Sequence, residues 1–510
     1  MELITSSSTV RRLSERDNVA VAIDGIPEGG AIGIGNITTL QTIPPGHKIA
    51  IQAIAEGENI LKYGQVIGYA TQAIAPGSHV HMHNVAMHER SSSVEHFEPH
   101  APTPVMAHER TFQGFVRPNG KVGTRNFIGI LSTVNCSATV SKAVASQLDE
   151  SKELKAMGYD GVVAITHGSG CAINTEAEGY QFLDRVMRGY AAHPNFAFVL
   201  VIGLGCETYQ VKDMIARQEK AGGERNIYYF NIQDAGGTRA SIKLAREKLL
   251  EMATEFRAAP RQAVPISELC VALQCGGSDG YSGITANPAL GYAADLIVKH
   301  GGSVVLAETP EIYGAEHLLL DRAISKPVAE KLLARIDWWK HYTRINHAEL
   351  NNNPSPGNKA GGLTTILEKS LGAVAKAGSS SLNDVLEYAE PRTVPGFNFM
   401  DSPGYDPISV TGQIATGSNV VCFTTGRGSV SGFKPAPCLK LATNSAMYER
   451  IAEDMDINCG TIADGRRTIE EVGEEIFEKI IAVASGEETA SEALGYGNNE
   501  FVPWPVGAIT

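Results

Sequence analysis

The sequence predicts an α/β protein: a small β-rich unit at the N-terminus, then two α/β units with parallel sheets, Rossmann-like in layout. Three observations predict this. Short apolar runs separated by Gly/Pro turns fill residues 1–90. From residue 113, near-continuous apolar runs alternate with helical stretches. The same alternation restarts near residue 269. A chain of 510 residues is long enough for two or three domains at roughly 150 residues each.

In the first unit, 1–90, the runs 18–23, 48–54 and 66–70 read as strands. The turns between them are Pro27-Glu28-Gly29-Gly30, Pro44-Pro45-Gly46 and Pro76-Gly77. Residues 91–112 are polar, contain proline and lack periodicity, so they read as a linker. In the second unit, 113–260, apolar runs 126–134, 161–166, 196–203 and 226–231 are each followed by a helical stretch: 138–148, 176–190, 209–220 and 237–259. The third unit, 261–510, starts with a strand at 269–273 and continues through 303–307 and 420–424. Its insert, about 310–395, reads as largely helical with a Gly-rich loop.

The net charge is −13 without a basic block, which excludes a typical nucleic-acid binder and a membrane-surface protein. No apolar run approaches the roughly 18 residues of a membrane span, and the polar start lacks a signal core. The expected compartment is the cytoplasm. Eight cysteines are too sparse for a disulfide scaffold and read as core residues, metal ligands or reactive thiols.

Cys136, Cys171 and Cys206 recur at intervals of 35 residues, close to one βα unit, and Cys275 follows 69 later. Each falls just past an apolar run, at the strand edge where open α/β sheets bind ligands. Three converging thiols suit iron, an iron–sulfur cluster or zinc; buried small hydrophobes are the alternative. Cys270, Cys422, Cys438 and Cys459 read as structural. His79, His81 and His83 alternate, so an extended segment would point all three imidazoles to one side, as ligands or as acid/base groups. A solvated loop is the bland alternative. A zinc hydrolase built on the same pair would need an eight-unit barrel, against which the linker speaks.

Three loops are rich in small and hydroxylated residues: 275–288, with Ser278, Asp279, Thr285 and Asn287; 353–362, with Asn358 and Lys359; and 424–428, with Arg427 after an apolar strand. Together they suit a small, hydroxylated, anionic substrate. Gly203-Leu204-Gly205-Cys206-Glu207-Thr208 departs from the dinucleotide fingerprint at Thr208. Glu207, Asp279, Glu308 and Glu311 beside these loops are general bases, hard metal ligands or solvated carboxylates; the sequence does not choose among them.

The stretches GHKIAI (46–51), YGQVIGYA (63–70), GLGCE (203–207), GGSDGYSGITANPALG (276–291), PSPGNKAGG (354–362), KAGSS (376–380) and TTGRG (424–428) resemble the altronate/galactarate dehydratase family over nearly the whole chain. HVHMHN (79–84) and ETPEIYGAE (308–316) look more like the altronate branch than the galactarate branch. Related sulfolactate-cleaving proteins carry the two parts on separate chains.

The resemblance implies a β-clip-like SAF module at 1–90 and a catalytic remainder. It implies loss of water from a 2,3-dihydroxy sugar acid, for D-altronate giving 2-keto-3-deoxy-D-gluconate. It implies iron, as Fe2+ or a cluster, with Mn2+ as an alternative. On this reading Cys136, Cys171 and Cys206 hold the metal, Arg427 and Lys359 bind the carboxylate, and a histidine among His79, His81, His83 and His167 moves the proton. A homodimer is the expected assembly, since twofold oligomers prevail. A non-enzymatic carbohydrate-binding protein is the remaining alternative.

Overall fold

The structure, a computed structural model, describes residues 5–6, 9–89, 92–106, 110–220, 226–256 and 260–506. Linker positions 91 and 107–109 and the expected helix end at 257–259 lie outside the described residues.

The N-terminal unit is all β. Its strands are β1 (Thr5–Ser6), β2 (Val10–Arg12), β3 (Val19–Ala22), β4 (Lys48–Ala50), β5 (Asn59–Lys62), β6 (Gln65–Ala70), β7 (His79–Val80) and β8 (Val85–Ala86). They form two antiparallel sheets, β1-β2-β3-β4-β7 and β5-β6-β8. The Gly/Pro turns keep the strands short, and a small core of Val10, Ala20, Ile26, Ile43 and Ile49 fills the first sheet.

A ribbon joins the units. It pairs β9 (Thr111–Val116) with β10 (Val122–Gly123) and, from the start of the third unit, with β15 (Gln262–Pro265). The expected linker is laid along the third unit rather than left loose. His100 N–H donates to the Ala323 carbonyl and Met106 N–H to the Lys299 carbonyl.

The second unit is a parallel sheet of β11 (Phe127–Ser132), β12 (Gly161–Ile165), β13 (Phe196–Gly203) and β14 (Ile227–Asn231), in the order β12-β11-β13-β14. All eight residues of β13 are buried, as expected of a strand covered on both faces. Helices Asn135–Leu148 and Thr238–Glu255 cover one face. Helices Glu178–Ala191 and Val211–Lys220 cover the other, and the first of these packs on Asp406–Ala415 of the third unit.

The third unit contains β16 (Cys270–Cys275), β17 (Ser303–Ala307), β18 (Leu382–Leu386), β19 (Gly396–Met400), β20 (Val420–Thr425), β21 (Cys438–Ala442) and β22 (Ile457–Asn458). They form one parallel sheet ordered β18-β19-β17-β16-β20-β21-β22. Helix Ile469–Ala484 opens with a Thr468/Glu471 capping box and packs on Ala286–Lys299. The expected helical insert is corrected at its end, because β18 lies inside it. Asn383 and Asp384 hid that strand, which an edge position tolerates. From the C-terminal stretch, Trp504 is wedged between the two α/β units, stacked on Phe182 at 4.9 Å and on Trp339 at 5.4 Å.

Strand order reverses between β11 and β13 in one sheet and between β16 and β20 in the other. Crevices that bind ligands in open α/β sheets lie outside the carboxyl ends at such reversals. The first reversal is flanked by Cys136 and Cys206, the second by the 276–285 loop and Arg427. Among the described residues, no helix is long and apolar enough to cross a membrane.

Candidate functional site

The N-terminal unit meets the 276–285 and 354–362 loops by close backbone approach as well as by side chains. The two loops are themselves tied together, Gly280 N–H donating to the Gly361 carbonyl at 2.7 Å. A Cβ on Gly280 would lie 1.9 Å from the Gly46 carbonyl oxygen, and one on Gly362 would lie 2.3 Å from it. Only glycine permits that approach. Tyr281 Oη donates to the Ile23 carbonyl at 2.6 Å.

A buried ion triad locks the joint. Lys48 Nζ and Lys62 Nζ, from β4 and β5, reach Glu368 at 2.8 and 2.9 Å. Lys48 also donates to the Gly362 carbonyl, and the Thr364 N–H and hydroxyl donate to Glu368. Burial opposes all three charges. The two ammonium groups still hold Glu368 far below the usual carboxylate range. For the lysines burial pulls down and Glu368 pulls up, leaving Lys48 at about 8 and Lys62 above its ordinary value.

This joint carries a histidine cluster. His79 and His81 stand together, with ring centroids 5.2 Å apart, and His83 lies 5.5 Å from His79. The sequence reading missed a third partner, His47. Its Nδ1 lies 3.0 Å from His79 Nε2, and its Nε2 donates to the Ala360 carbonyl at 3.2 Å. His47, His79 and His81 each place a ring nitrogen within 4.8 Å of the others, a spacing able to hold a metal ion. Burial, then the neighbouring imidazoles, drive His79 down to about 3. Burial, then Lys48, drives His81 to about 4. The rings are therefore neutral at physiological pH, the ligand form. His81 Nδ1 is buried without a hydrogen-bond partner. The donor set and the open nitrogen fit a divalent transition metal.

The loop residues divide into two groups. Asp279 is buried and accepts from Ser282, Thr443, Asn444 and the Tyr281 N–H. Thr285 donates to the Thr443 carbonyl, Asn287 bridges Gly372 and Thr424, and Asn358 caps its own short helix and donates to the Ser278 carbonyl. The bonding capacity of Asp279, Thr285, Asn287 and Asn358 is spent on shaping loops; Ser278 is buried and contributes its carbonyl. Arg427 is exposed and Lys359 half-buried, and Lys359 directly precedes Ala360, whose carbonyl meets His47. Gly277 lies against the Arg427 side chain.

Cys136, Cys171 and Cys206 are exposed, and belong to neither group of described residues whose ligand atoms converge within 4.8 Å. Cys136 is in the first turn of a helix, not at a strand end, since β11 stops at Ser132. The Gln233 amide donates to Cys206 Sγ at 3.5 Å. His167 is at this edge as expected. Its Nδ1 accepts from the Ser169 N–H, its Nε2 is unpartnered, and burial drives it to about 4.

The second converging group is Cys275, Glu308 and Glu311, at the ends of β16 and β17. Lys376 Nζ lies 2.7 Å from Cys275 Sγ, and Lys369 Nζ lies 2.6 Å from Glu311. The Asn353 amide also donates to Glu311. The Asp406 carboxylate lies against Gly276, the residue after Cys275. Burial drives the Cys275 thiol up to about 12 and Asp406 to about 6. Burial opposes the charge of Glu311 too, but Lys369 and Lys376 outweigh it and hold that group low. Glu308 goes well up, by burial and then by Glu311. Glu308 is fully buried, neither carboxyl oxygen has a partner, and its backbone is left-handed at φ 75°. Such a conformation costs of order 1–3 kcal/mol for a residue other than glycine. The sequence marked Glu308 and Glu311 without choosing a role, and it did not single out Lys369 or Lys376 for one.

Comparison with known proteins agrees along the chain. Residues 8–88 match the family described as Altronate/galactarate dehydratase SAF domain. Residues 114–257 match D-galactarate dehydratase/Altronate hydrolase, second domain, and residues 266–509 match D-galactarate/Altronate dehydratase, C-terminal. The altronate dehydratase of Escherichia coli (strain K12) is 37% identical over 487 residues, covering 93% of this chain and 95% of the relative. That of Bacillus subtilis (strain 168) is 36% identical, covering 96% and 97%. The galactarate dehydratase (L-threo-forming) of Escherichia coli (strain K12) is 37% identical, covering 97% of both.

Proposed function

Because this chain belongs to the altronate/galactarate dehydratase family, we propose that it is a hydro-lyase converting D-altronate to 2-keto-3-deoxy-D-gluconate and water. The observation that carries the reading is likeness to dehydratases along nearly the whole chain, with a metal-capable histidine cluster where the SAF module meets the catalytic loops. Identity to the two branches is equal, so the choice of D-altronate rests on the HVHMHN and ETPEIYGAE stretches. Galactarate is the alternative substrate.

The chemistry needs a base for the proton on C2, positive charge beside the carboxylate, and a proton for the hydroxyl leaving C3. Arg427 and Lys359 supply the charge, Arg427 in bidentate form. His83, exposed beside His79, takes the C2 proton. His47, His79 and His81 would hold iron(II), with manganese(II) as the alternative; bound there, the ion supplies Lewis-acid stabilisation of the charge developing on the substrate. The thiol edge of Cys136, Cys171 and Cys206 is the competing metal site, suited to a cluster. We place the protein in the cytoplasm as a homodimer.

The test is turnover. Purified without oxygen and given ferrous iron, the protein is offered D-altronate and galactarate separately while 2-keto-3-deoxy acid is followed. Formation from D-altronate alone supports the reading. Formation from galactarate alone moves it to the other branch. Silence on both removes D-altronate and galactarate and moves the reading to another sugar acid or sulfolactate. His81→Ala should lose bound iron and turnover together.

A further inference from the structure

We propose that Glu308 is the catalytic acid of this enzyme, giving its proton to the hydroxyl that leaves C3. The proposal rests on the dehydratase reading and adds a residue to it.

Four observations converge. Glu308 follows β17 directly, at the carboxyl edge of the sheet and one strand from the β16/β20 reversal beside Arg427. Its left-handed backbone turns the side chain into the Cys275–Glu311 cluster at the expense of local strain. Both carboxyl oxygens are buried and unpartnered, while Glu311 beside it has Lys369 and Asn353. A strained, unsatisfied acid lowers stability and serves no packing purpose; such residues gather at sites of chemistry. Finally, the cluster is ill suited to a metal. Ammonium groups already occupy the lone pairs a cation would use, Lys376 on Cys275 Sγ and Lys369 on Glu311.

The same surroundings keep Glu308 in its neutral form, since burial and the charged Glu311 both disfavour a second anion. A neutral carboxyl has a proton to give. The step balances. The C2 proton passes reversibly to His83, and its electron pair is held in the carboxylate beside Arg427 and Lys359 until it closes the C2–C3 double bond. The C3–O pair departs with oxygen and bonds the Glu308 proton, forming water. His83 then gives its proton to water, and Glu308 regains one when the site opens for product release, which closes the proton balance. The enol then exchanges its hydroxyl proton for one at C3, giving the keto acid.

The experiment compares Glu308→Gln and Glu308→Asn with the wild type; asparagine tolerates the left-handed backbone, and the thermal midpoint reports whether each variant keeps the fold. Turnover of D-altronate, iron content, thermal midpoint and C2 hydrogen exchange in deuterium oxide are read together. The expected result is a 100-fold or greater loss of kcat, unchanged iron, a midpoint equal to or above the wild type, and retained C2 exchange. Turnover within threefold of the wild type overturns the proposal. Loss of iron overturns it in favour of a ligand role. Loss of C2 exchange along with turnover overturns it in favour of a role in proton abstraction. A wild type silent on every sugar acid removes the dehydratase reading itself, a distinct failure.

Discussion

Glu368→Gln should loosen the N-terminal unit from the rest of the protein. The substitution keeps the shape and removes one charge. In the wild type that charge faces Lys48 at 2.8 Å and Lys62 at 2.9 Å, and all three side chains are at most 1% exposed. Glutamine leaves two ammonium groups buried without a counter-ion. Removing one member of a buried ion pair costs about 3–5 kcal/mol, and here two pairs share the carboxylate. Spent on local opening, that cost raises the open population by roughly 100- to 1,000-fold or more, at about 1.4 kcal/mol per decade. Hydrogen exchange read by mass spectrometry suits a three-unit chain, where a single unfolding free energy is ill defined. Peptides covering β4, β5 and residues 363–370 should lose protection by that factor, while β13 in the second unit should not change. The triple change Lys48→Met, Lys62→Met, Glu368→Met removes the charges together and should restore most of the protection. A change below tenfold at β4 in Glu368→Gln would refute the claim that this triad holds the joint.

Four shorter predictions follow. Cys171→Ser should leave iron content and turnover within twofold of the wild type; parallel loss of both would return the metal to the thiol edge. Arg427→Ala should raise KM for the sugar acid at least tenfold with a smaller change in kcat, and steady-state kinetics decide it. His193 should make stability pH-dependent. It is buried, its Nε2 donates to the Ser418 carbonyl, and its Nδ1 accepts from the Asn195 N–H, so no nitrogen is free for a second proton. Burial drives it from 6.5 to about 4, so its stability is fully present above pH 6.5 and lost between there and pH 4, by about 3 kcal/mol. His193→Gln should flatten that part of the midpoint–pH curve; an identical slope in variant and wild type counts against it. Trp504→Ala should cost about 3–5 kcal/mol in denaturant unfolding of the interface between the α/β units, given its stacking on both sides.

Local patterning explains what the sequence disclosed. A strand such as Phe196–Gly203 is buried throughout, so its run of apolar residues declares it. Leu382–Leu386 is a polar-spotted edge strand, and its pattern is lost among helices. His79 and His81 were legible because their spacing is local, although the strand ends at Val80 and a turn over 81–84, not an extended run, leaves His83 outside the converging set. His47 was not, since its partnership with His79 spans 32 residues and exists only once β4 pairs with β7. The cluster around Glu308 was hidden for the same reason. Its members come from two strand ends and the 366–377 segment, and nothing in a one-dimensional pattern says that Lys369 and Lys376 fold back onto Glu311 and Cys275. The left-handed turn at Glu308 leaves no compositional mark, because glycine, its usual signal, is absent there.

The glycine seam has a consequence for how such a protein can be assembled. The Gly46 carbonyl nests against Gly280 and Gly362, and one carboxylate grips two lysines across the gap. This is a plug and socket, complete in its own geometry. The covalent tether between the pieces raises their effective concentration but contributes nothing to the fit at that seam. The plug carries the histidines, and the socket carries Arg427 and Glu308. A gene encoding them can therefore be cut or joined between the pieces while the same two halves still meet at this seam.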